Sequence, residues 1–500
     1  MKEKHDAAKV NIKEIKAKKA QLKEESRAFD IAKKAGEKTD RQSAKAKKAE
    51  ARKKAKELKA AGKPFNMQLQ ALYNTIEYKL AQIAKEQKYT DFKWHKLDNA
   101  ALIYPAISYE NSAVFRISAM IKEEIDPFDL QRALNIIVPR FPTITSTLRA
   151  GLFWYYLDSP AFPVVVKEDK ELPCRPFKMD RRSPCVRVMY RKHEIITEFF
   201  HSATDGSGGL CFLNCLIATY LKLKGAQIED RTNCPHGKDL PRPEETVDSF
   251  QAVCNRGNRK VKYVRAMHLK GEKLDKNIVI PRKVLCDAAS LKEVSKKYDC
   301  TITHYLSACI LQACRKHADM TLNKDKKPIT LSTPCNLRKV FGSATLRNFS
   351  SYYHTTYKEG TFEELVKHVK EQTLSCATKD YFQSMINLNT TAQKNIFMRL
   401  TPLVLKNFVL KFTHKILGYS LDTYSFSNMG MITCPVEFSS FVARYEFSLG
   451  ATYGVAACTY NSMTVISMTS VLKDTLVERY FVDQLVKDGL TVCVETVYGG

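Results

Sequence analysis

No uninterrupted apolar run in the 500-residue chain reaches the about 18 residues that a helix needs to cross a bilayer, so no membrane-spanning helix is expected. The opening stretch MKEKHDAAKVNIKEIKAKK has no apolar centre of the kind a secretory leader carries. Fifteen cysteines are present, but they are scattered and no two stand at CxxC spacing, which points to reduced thiols in a cytoplasmic chain rather than a disulfide framework. Cys211 and Cys215 fall one helical turn apart, and Cys234 and His236 have no companions at zinc spacing, so no metal site is expected. There is also no G-x-S-x-G elbow, no local signature of a cysteine nucleophile, and no repeat of solenoid period.

Against these absences stands an excess of positive charge. The formal net charge is +27, and residues 1–63 hold 22 Lys/Arg against 10 Asp/Glu, leaving about +15 for the remaining chain. Residues 1–62 are rich in Lys, Ala and Glu, with sparse apolar residues and one aromatic, Phe29. Such a segment cannot bury a core and reads as a solvated tail, helical or disordered. Its charge leaves open contact with an anionic membrane surface or RNA, although the lack of aromatics for base stacking disfavours nucleic acid. Within 63–90 the apolar residues Phe65, Leu69, Leu72, Ile76, Leu80 and Ile83 make one helical stripe.

From residue 91 the chain alternates strands and helices, the pattern of a mixed α/β protein, and its length favours two lobes. SAVFRISAMIK reads as a strand, followed by a helix with Asp126 as N-cap and Pro127 at its first position. LFWYYLD, FPVVVKE and a hairpin over CVRVMYRKHEIITEFF supply further strands, and residues 208–223 a helix. The polar, proline-containing stretch 225–270 separates the lobes, with 91–250 as the N-terminal lobe, 251–270 as a linker and 271–500 as the C-terminal lobe. In the second lobe TITHYLSACILQACRKH reads as a helix, KPITLSTPCNLR as a strand, and TFEELVKHVKEQ as a helix opened by a Thr361/Glu364 capping box. TYSFSNMG, ARYEFSLG, VAACTY and TVISMTS are strands. DTLVERYFVDQLVKDG is a closing helix, and the apolar segment 398–418, with Lys406, Lys411, His414 and Lys415, is a further helix, read as a core or lobe-packing element with shallow membrane contact as the alternative.

The segment IITEFFHSATDGSGGL places one histidine, His201, where a strand ends and a turn enters a helix. An imidazole with an ordinary pKa of about 6.5 is neutral at pH 7 and accepts a proton readily, which suits it to activate a hydroxyl, amine or thiol. A strand end facing a cleft would hold such a base rigidly. Asp205, four residues on, either orients the ring or turns away to hold the loop by an ion pair.

FFHSATDGSGG, TLSTPCNLRKVFGSATLRNFSSYY and DTYSFSNMGMITCP, with FKWHKLDNAALIYPAI and IIVPRFPTITSTLRAGLFWYY nearer the start, together resemble the bacterial alcohol acetyltransferase-like branch of the CoA-dependent acyltransferase superfamily. That superfamily also holds chloramphenicol acetyltransferase, plant hydroxyl acyltransferases, wax ester synthases and the condensation domains of peptide synthetases. The resemblance spans roughly residues 91–497. It implies two lobes, each a mixed sheet covered by helices, with an inter-lobe tunnel that acyl-CoA and an alcohol enter from opposite faces. No tightly bound cofactor is implied, since acyl-CoA serves as co-substrate.

By the same resemblance His201 is the general base and Asp205 the structural aspartate whose carboxylate points to an arginine, with Arg149 as first candidate and Arg338 as second. Gly206 is implied to permit a tight backbone behind the histidine. Ser425, Ser427 and Asn428, in SFSNMG, are candidates to stabilise the oxyanion or line the tunnel. Asn336, Arg338, Arg347 and Asn348 read as structural residues of turns, strand ends and an internal ion pair. Relatives with two adjacent histidines differ here, because Phe200 holds the preceding position. A carrier-protein donor, an amine acceptor, or a non-catalytic scaffold docked by its basic tail are the competing readings. Acyl chain length, acceptor and oligomeric state depend on side-chain placement and surfaces that periodicity does not encode.

Overall fold

The computed structural model describes residues 76–89, 94–107, 112–180, 183–258, 260–261, 264–275, 278–413 and 421–496. Residues 80–500 form one compact unit. The basic tail and most of the stripe expected over 63–90 lie outside the described residues, as does His414, and the described part of the stripe is the helix Ile76–Ala84.

The described residues of 80–500 form three sheets, a small one of His95–Lys96, Tyr155–Asp158 and Thr147–Ala150 and two larger ones. The first of the larger two has five strands in the order Val442–Leu449, Val114–Ile121, Glu194–Phe200, Val186–Arg191 and Lys167–Glu168. Glu194–Phe200 is buried along its whole length, as befits a central strand covered on both faces. The hairpin expected over CVRVMYRKHEIITEFF forms in register, with Arg191 opposite Glu194. Of FPVVVKE only Lys167–Glu168 pairs in the sheet, and Val164 and Val166 pack into the core instead. The helices Pro127–Ile137 and Gly206–Leu223 bury Leu134, Ile137, Phe212 and Leu216 with Phe115 and Ile117 of the sheet. Asp126 caps the first of these, its carboxylate accepting from the Phe128 and Asp129 N–H groups. Cys211, Cys215 and Cys234 are buried in this same core. Gly206–Leu223 is the one described helix long and apolar enough to cross a membrane, and most of it is buried inside the lobe.

The second sheet has seven strands in the order Ser350–Thr356, Thr330–Asn336, Tyr424–Met431, Tyr453–Tyr460, Met463–Ser470, Arg282–Asp287 and Val492–Thr496. The helices Ile302–Met320, Phe362–Cys376 and Leu476–Lys487 pack with it around Leu306, Ile310, Val369, Val455, Ile466 and Phe481. Thr361 and Glu364 form the expected reciprocal cap.

One strand crosses between the sheets. Val442–Leu449 comes from the C-terminal half of the chain yet pairs antiparallel with Val114–Ile121, Phe447 opposite Ile117. Ion pairs from Lys283 to Glu446 and from Arg444 to Glu495 tie this strand to the last two strands of the second sheet, Arg282–Asp287 and Val492–Thr496. The polar stretch 225–270 also bridges, through a bidentate Arg140–Glu245 pair at 2.6 Å and a bond from the Leu346 N–H to the Glu245 carbonyl at 2.8 Å.

The apolar segment 398–418 is not one helix. It runs as Ile396–Leu400 and then Leu403–Thr413, broken at Thr401–Pro402. Proline has no N–H for the helical ladder and its ring pushes the preceding residue out of the α region.

Candidate active site

His201 follows the last residue of the strand Glu194–Phe200, and its N–H donates to the Ala113 carbonyl at 2.9 Å. The ring stacks on Tyr104, centroids 4.5 Å apart, and meets Phe115 edge to face at 5.1 Å. Asn348 Oδ1 lies 2.9 Å from His201 Nδ1. The amide's orientation follows from its other end, because Asn348 Nδ2 faces two acceptors, the His201 carbonyl at 2.9 Å and Asp98 Oδ2 at 3.3 Å. The oxygen must therefore face the ring, so Nδ1 carries the proton and Nε2 is the basic nitrogen. Burial lowers the His201 pKa below its ordinary value, although the Asp205 charge and the Asn348 bond oppose the shift.

Asp98 is fully buried behind Asn348, where it accepts from the Ala101 N–H at 2.8 Å and lies 3.6 Å from Arg347 Nε. Burial pushes its carboxyl up to about 6 against the pull of the Arg347 charge. Arg347 also donates to the Lys96 and Thr246 carbonyls, the internal ion pair and strand-end role expected of it.

Asp205 turns away from the imidazole. One oxygen caps the helix Gly206–Leu223, accepting from the Ser207 and Gly208 N–H groups, and the other accepts from the Phe349 N–H at 2.9 Å. Arg338 grips both oxygens at 2.9 Å. Burial would raise this carboxyl, but the Arg338 charge and these bonds outweigh it and hold the pKa below the usual carboxylate range. The preference for Arg149 as partner is thus corrected. Arg149 sits on the short strand Thr147–Ala150, whose antiparallel pairing with Tyr155–Asp158 brings Asp158 within 2.5 Å of it.

The glycine assignment is corrected as well. A Cβ on Gly206 would come no closer than 3.9 Å to any neighbour. The tight fit is two and three residues later, where a Cβ on Gly208 would stand 2.2 Å from the Leu346 carbonyl oxygen and one on Gly209 2.9 Å from the Phe115 ring.

Across the cleft, the two-residue period of Tyr424–Met431 sends Tyr424 and Phe426 into the second core and Ser425 and Ser427 to the other face. Ser425 donates to the Tyr453 carbonyl at 3.1 Å. Asn428 closes a bulge, its oxygen accepting from the Gly430 N–H and its nitrogen donating to Thr303. Ser427 is the member of the trio whose hydroxyl has no protein partner among the described residues. Asn336 donates to Ser207 and accepts from the Arg338 N–H, which ties the second sheet to the first turn of the helix Gly206–Leu223, just after the loop that carries His201.

These residues border a cavity of about 1240 Å³. His201, Tyr104 and Phe115 line it from the first lobe, and Ser427, Ser332 and Tyr352 from the second. His354 and Asp422 also line it, with burial lowering the former to about 4 and raising the latter to about 7. The cavity brings together His201, Asp205, Gly206, Arg338, Ser425, Ser427 and Asn428, while Arg149 is not among its lining residues. Tyr104 and Asp98, and the contact of Asn348 with the imidazole, are additions of the structure to the site. The short-range pattern around each carries no sign of an imidazole partner.

No protein-family model matches the chain, and no curated protein matches it. Solved structures do. The starter condensation domain of rhizomide synthetase, in complex with C8-CoA and Leu-SNAC, matches at 9% identity and TM-score 0.53 over 79% of this chain and 94% of its own. The first condensation domain of the CDA synthetase matches at 13% identity and TM-score 0.52 over 80% and 99%. TRI101 of F. sporotrichioides, complexed with coenzyme A and T-2, also matches at 13% and TM-score 0.52 over 80% and 99%. The fold is the two-lobed one shared by condensation domains and CoA-dependent acyltransferases, each lobe a sheet covered by helices. The likeness does not single out the alcohol acetyltransferase branch.

Proposed function

We propose that the protein transfers an acyl group, acetyl or another short chain, from CoA to an alcohol hydroxyl, with His201 as general base. The observation that carries this reading is the pairing of His201 Nδ1 with Asn348, which leaves Nε2 as the nitrogen to accept a proton on a ring bordering the cavity. Nε2 takes the hydroxyl proton, and the alcohol oxygen attacks the thioester carbonyl carbon. The tetrahedral intermediate collapses with cleavage of the carbon–sulfur bond, and the imidazolium returns the proton to the departing CoA thiolate. Asn348 Oδ1 accepts from Nδ1–H throughout and supports the charged ring. Ser427 is the donor assigned to the oxyanion, a contribution of about 2.7–4 kcal/mol to the barrier when such a donor is well placed. Asp205 takes no part in proton transfer, and with Arg338 it fixes the loop that carries the base.

Coenzyme A in TRI101 and C8-CoA in the rhizomide domain support the choice of donor. A carrier-protein thioester donor and an amine acceptor form the rival chemistry. A panel of acyl-CoA and acyl-carrier donors against mixed alcohols and amines, read by product mass, separates them. Ester formed from acyl-CoA and lost in His201→Ala supports the proposal. Undiminished thiol release in that variant removes the base assignment, and no product from any pair favours a binding scaffold.

A further inference from the structure

Along one margin of the cavity the protein presents a face that is both apolar and of one charge. The helix Leu403–Thr413 has two sides. Leu403, Lys406 and Leu410 line the cavity, and Asn407 bonds the Tyr155 hydroxyl at 2.7 Å. The outer side carries Val404, Leu405, Phe408, Val409 and Phe412, with Val404 80% and Phe408 73% exposed. In the preceding helix Ile396–Leu400, Ile396, Phe397 and Leu400 are likewise exposed, Phe397 to 79%. The tip between the strands Thr147–Ala150 and Tyr155–Asp158 adds exposed Leu152, whose carbonyl accepts from the Leu403 N–H at 2.8 Å, so the tip and the helix are contiguous. Isolated apolar residues are ordinary on a surface, but a continuous group of large side chains marks a binding face.

The charges around this face identify its partner. No Asp or Glu occurs between Asp380 and Asp422, whereas Lys394, Arg399, Lys406, Lys411 and Lys415 do. Lys406 is buried, bonding the Phe153 carbonyl at 2.8 Å and lying 3.4 Å from the Trp154 ring centre, and Lys394, Arg399 and Lys411 are exposed. A second copy docked through the same face would set these cations against themselves. Residues 1–63, with their own surplus of twelve positive charges, are equally mismatched as a cover. Aromatic and aliphatic side chains flanked by the exposed Lys394, Arg399 and Lys411 match an anionic bilayer, whose headgroups take the cations and whose acyl boundary takes the rings.

We propose that the outer faces of Ile396–Leu400 and Leu403–Thr413, with Leu152 of the neighbouring tip, dock the protein on an anionic lipid bilayer beside the cavity.

The test uses the full chain with vesicles of phosphatidylcholine alone or mixed with phosphatidylglycerol, in low and high salt. Phe408→Ser combined with Phe412→Ser is expected to weaken partitioning onto the mixed vesicles roughly a hundredfold, from the apolar area withdrawn. In a separate variant, the indole introduced by Phe408→Trp is expected to shift to the blue and to be quenched by brominated acyl chains. Neither outer-face residue borders the cavity, so thermal unfolding of both variants should match the parent. Unchanged partitioning of the double variant would overturn the proposal by assigning any lipid binding to the basic N-terminal segment. Absence of quenching would overturn it too, as would self-association of the parent that the double variant abolishes. None of these readouts uses acyl transfer, so a negative result leaves the proposed chemistry to its own test.

Discussion

Asn348 Oδ1 stands 2.9 Å from His201 Nδ1, joining residues 147 positions apart. The contact sets the tautomer of the ring, since the amide nitrogen of Asn348 is already directed at the His201 carbonyl and at Asp98. Asn348→Ala should therefore lower kcat about a hundredfold by releasing ring and tautomer, with a small effect on KM. Equal loss in kcat and 1/KM with a lowered melting temperature would mark Asn348 as merely structural.

The acid limb of kcat/KM comes from His201. Burial lowers its pKa, and only the neutral ring accepts a proton, so activity rises with pH through a midpoint below the ordinary value of about 6.5 and is level at neutral pH. Asp98, raised to about 6, ionises in the adjoining window and adds negative charge behind Asn348. A limb centred above pH 7, measured with one donor and acceptor pair, would contradict a desolvated base.

Asp205 and Arg338 form a buried bidentate pair, whereas Arg149 and Asp158 are each more than a quarter exposed. Arg338→Met should destabilise by about 3–5 kcal/mol by stranding the Asp205 charge. Arg149→Ala should cost about 0–1 kcal/mol. Asp205 has a lowered folded-state pKa, so its stabilisation is complete above the unfolded value and is lost as pH falls through the folded one. The gap between parent and Asp205→Asn in denaturant midpoint should accordingly close in acid.

Two glycines of the DGSGG segment, Gly206 and Gly208, are expected to respond differently. Gly206→Ala meets ordinary contacts and should keep stability within about 1 kcal/mol, with alanine the better helix former. Gly208→Ala drives its Cβ into the Leu346 carbonyl and the Thr204 hydroxyl and should cost about 1–3 kcal/mol or prevent folding. Thermal melts of the two variants decide between this account and one that places the tight backbone at Gly206.

The serines of the strand Tyr424–Met431 offer a paired comparison. Ser427→Ala should reduce kcat about 10²- to 10³-fold if its hydroxyl meets the oxyanion. Ser425→Ala removes a bond to the Tyr453 carbonyl and should act mainly on stability, by about 0.5–1.5 kcal/mol. Similar kinetics in both variants would leave the oxyanion without a donor from this strand.

Local signals carried the elements that build the first lobe. Alternation marked Val114–Ile121 and the hairpin ending at Phe200, Asp126 and Pro127 marked a helix start, and the turn residues after His201 marked the joint that holds it. Each depends on side chains and backbone groups within a few positions of one another, so it is written in consecutive residues. The choice of Arg338 over Arg149 for Asp205, the meeting of Asn348 with His201, and the passage of Val442–Leu449 into the other sheet were decided by tertiary structure. Those contacts depend on how two lobes close around a cavity, and a hydrogen-bond donor a hundred or more residues away leaves no trace in the periodicity of the segment it will reach.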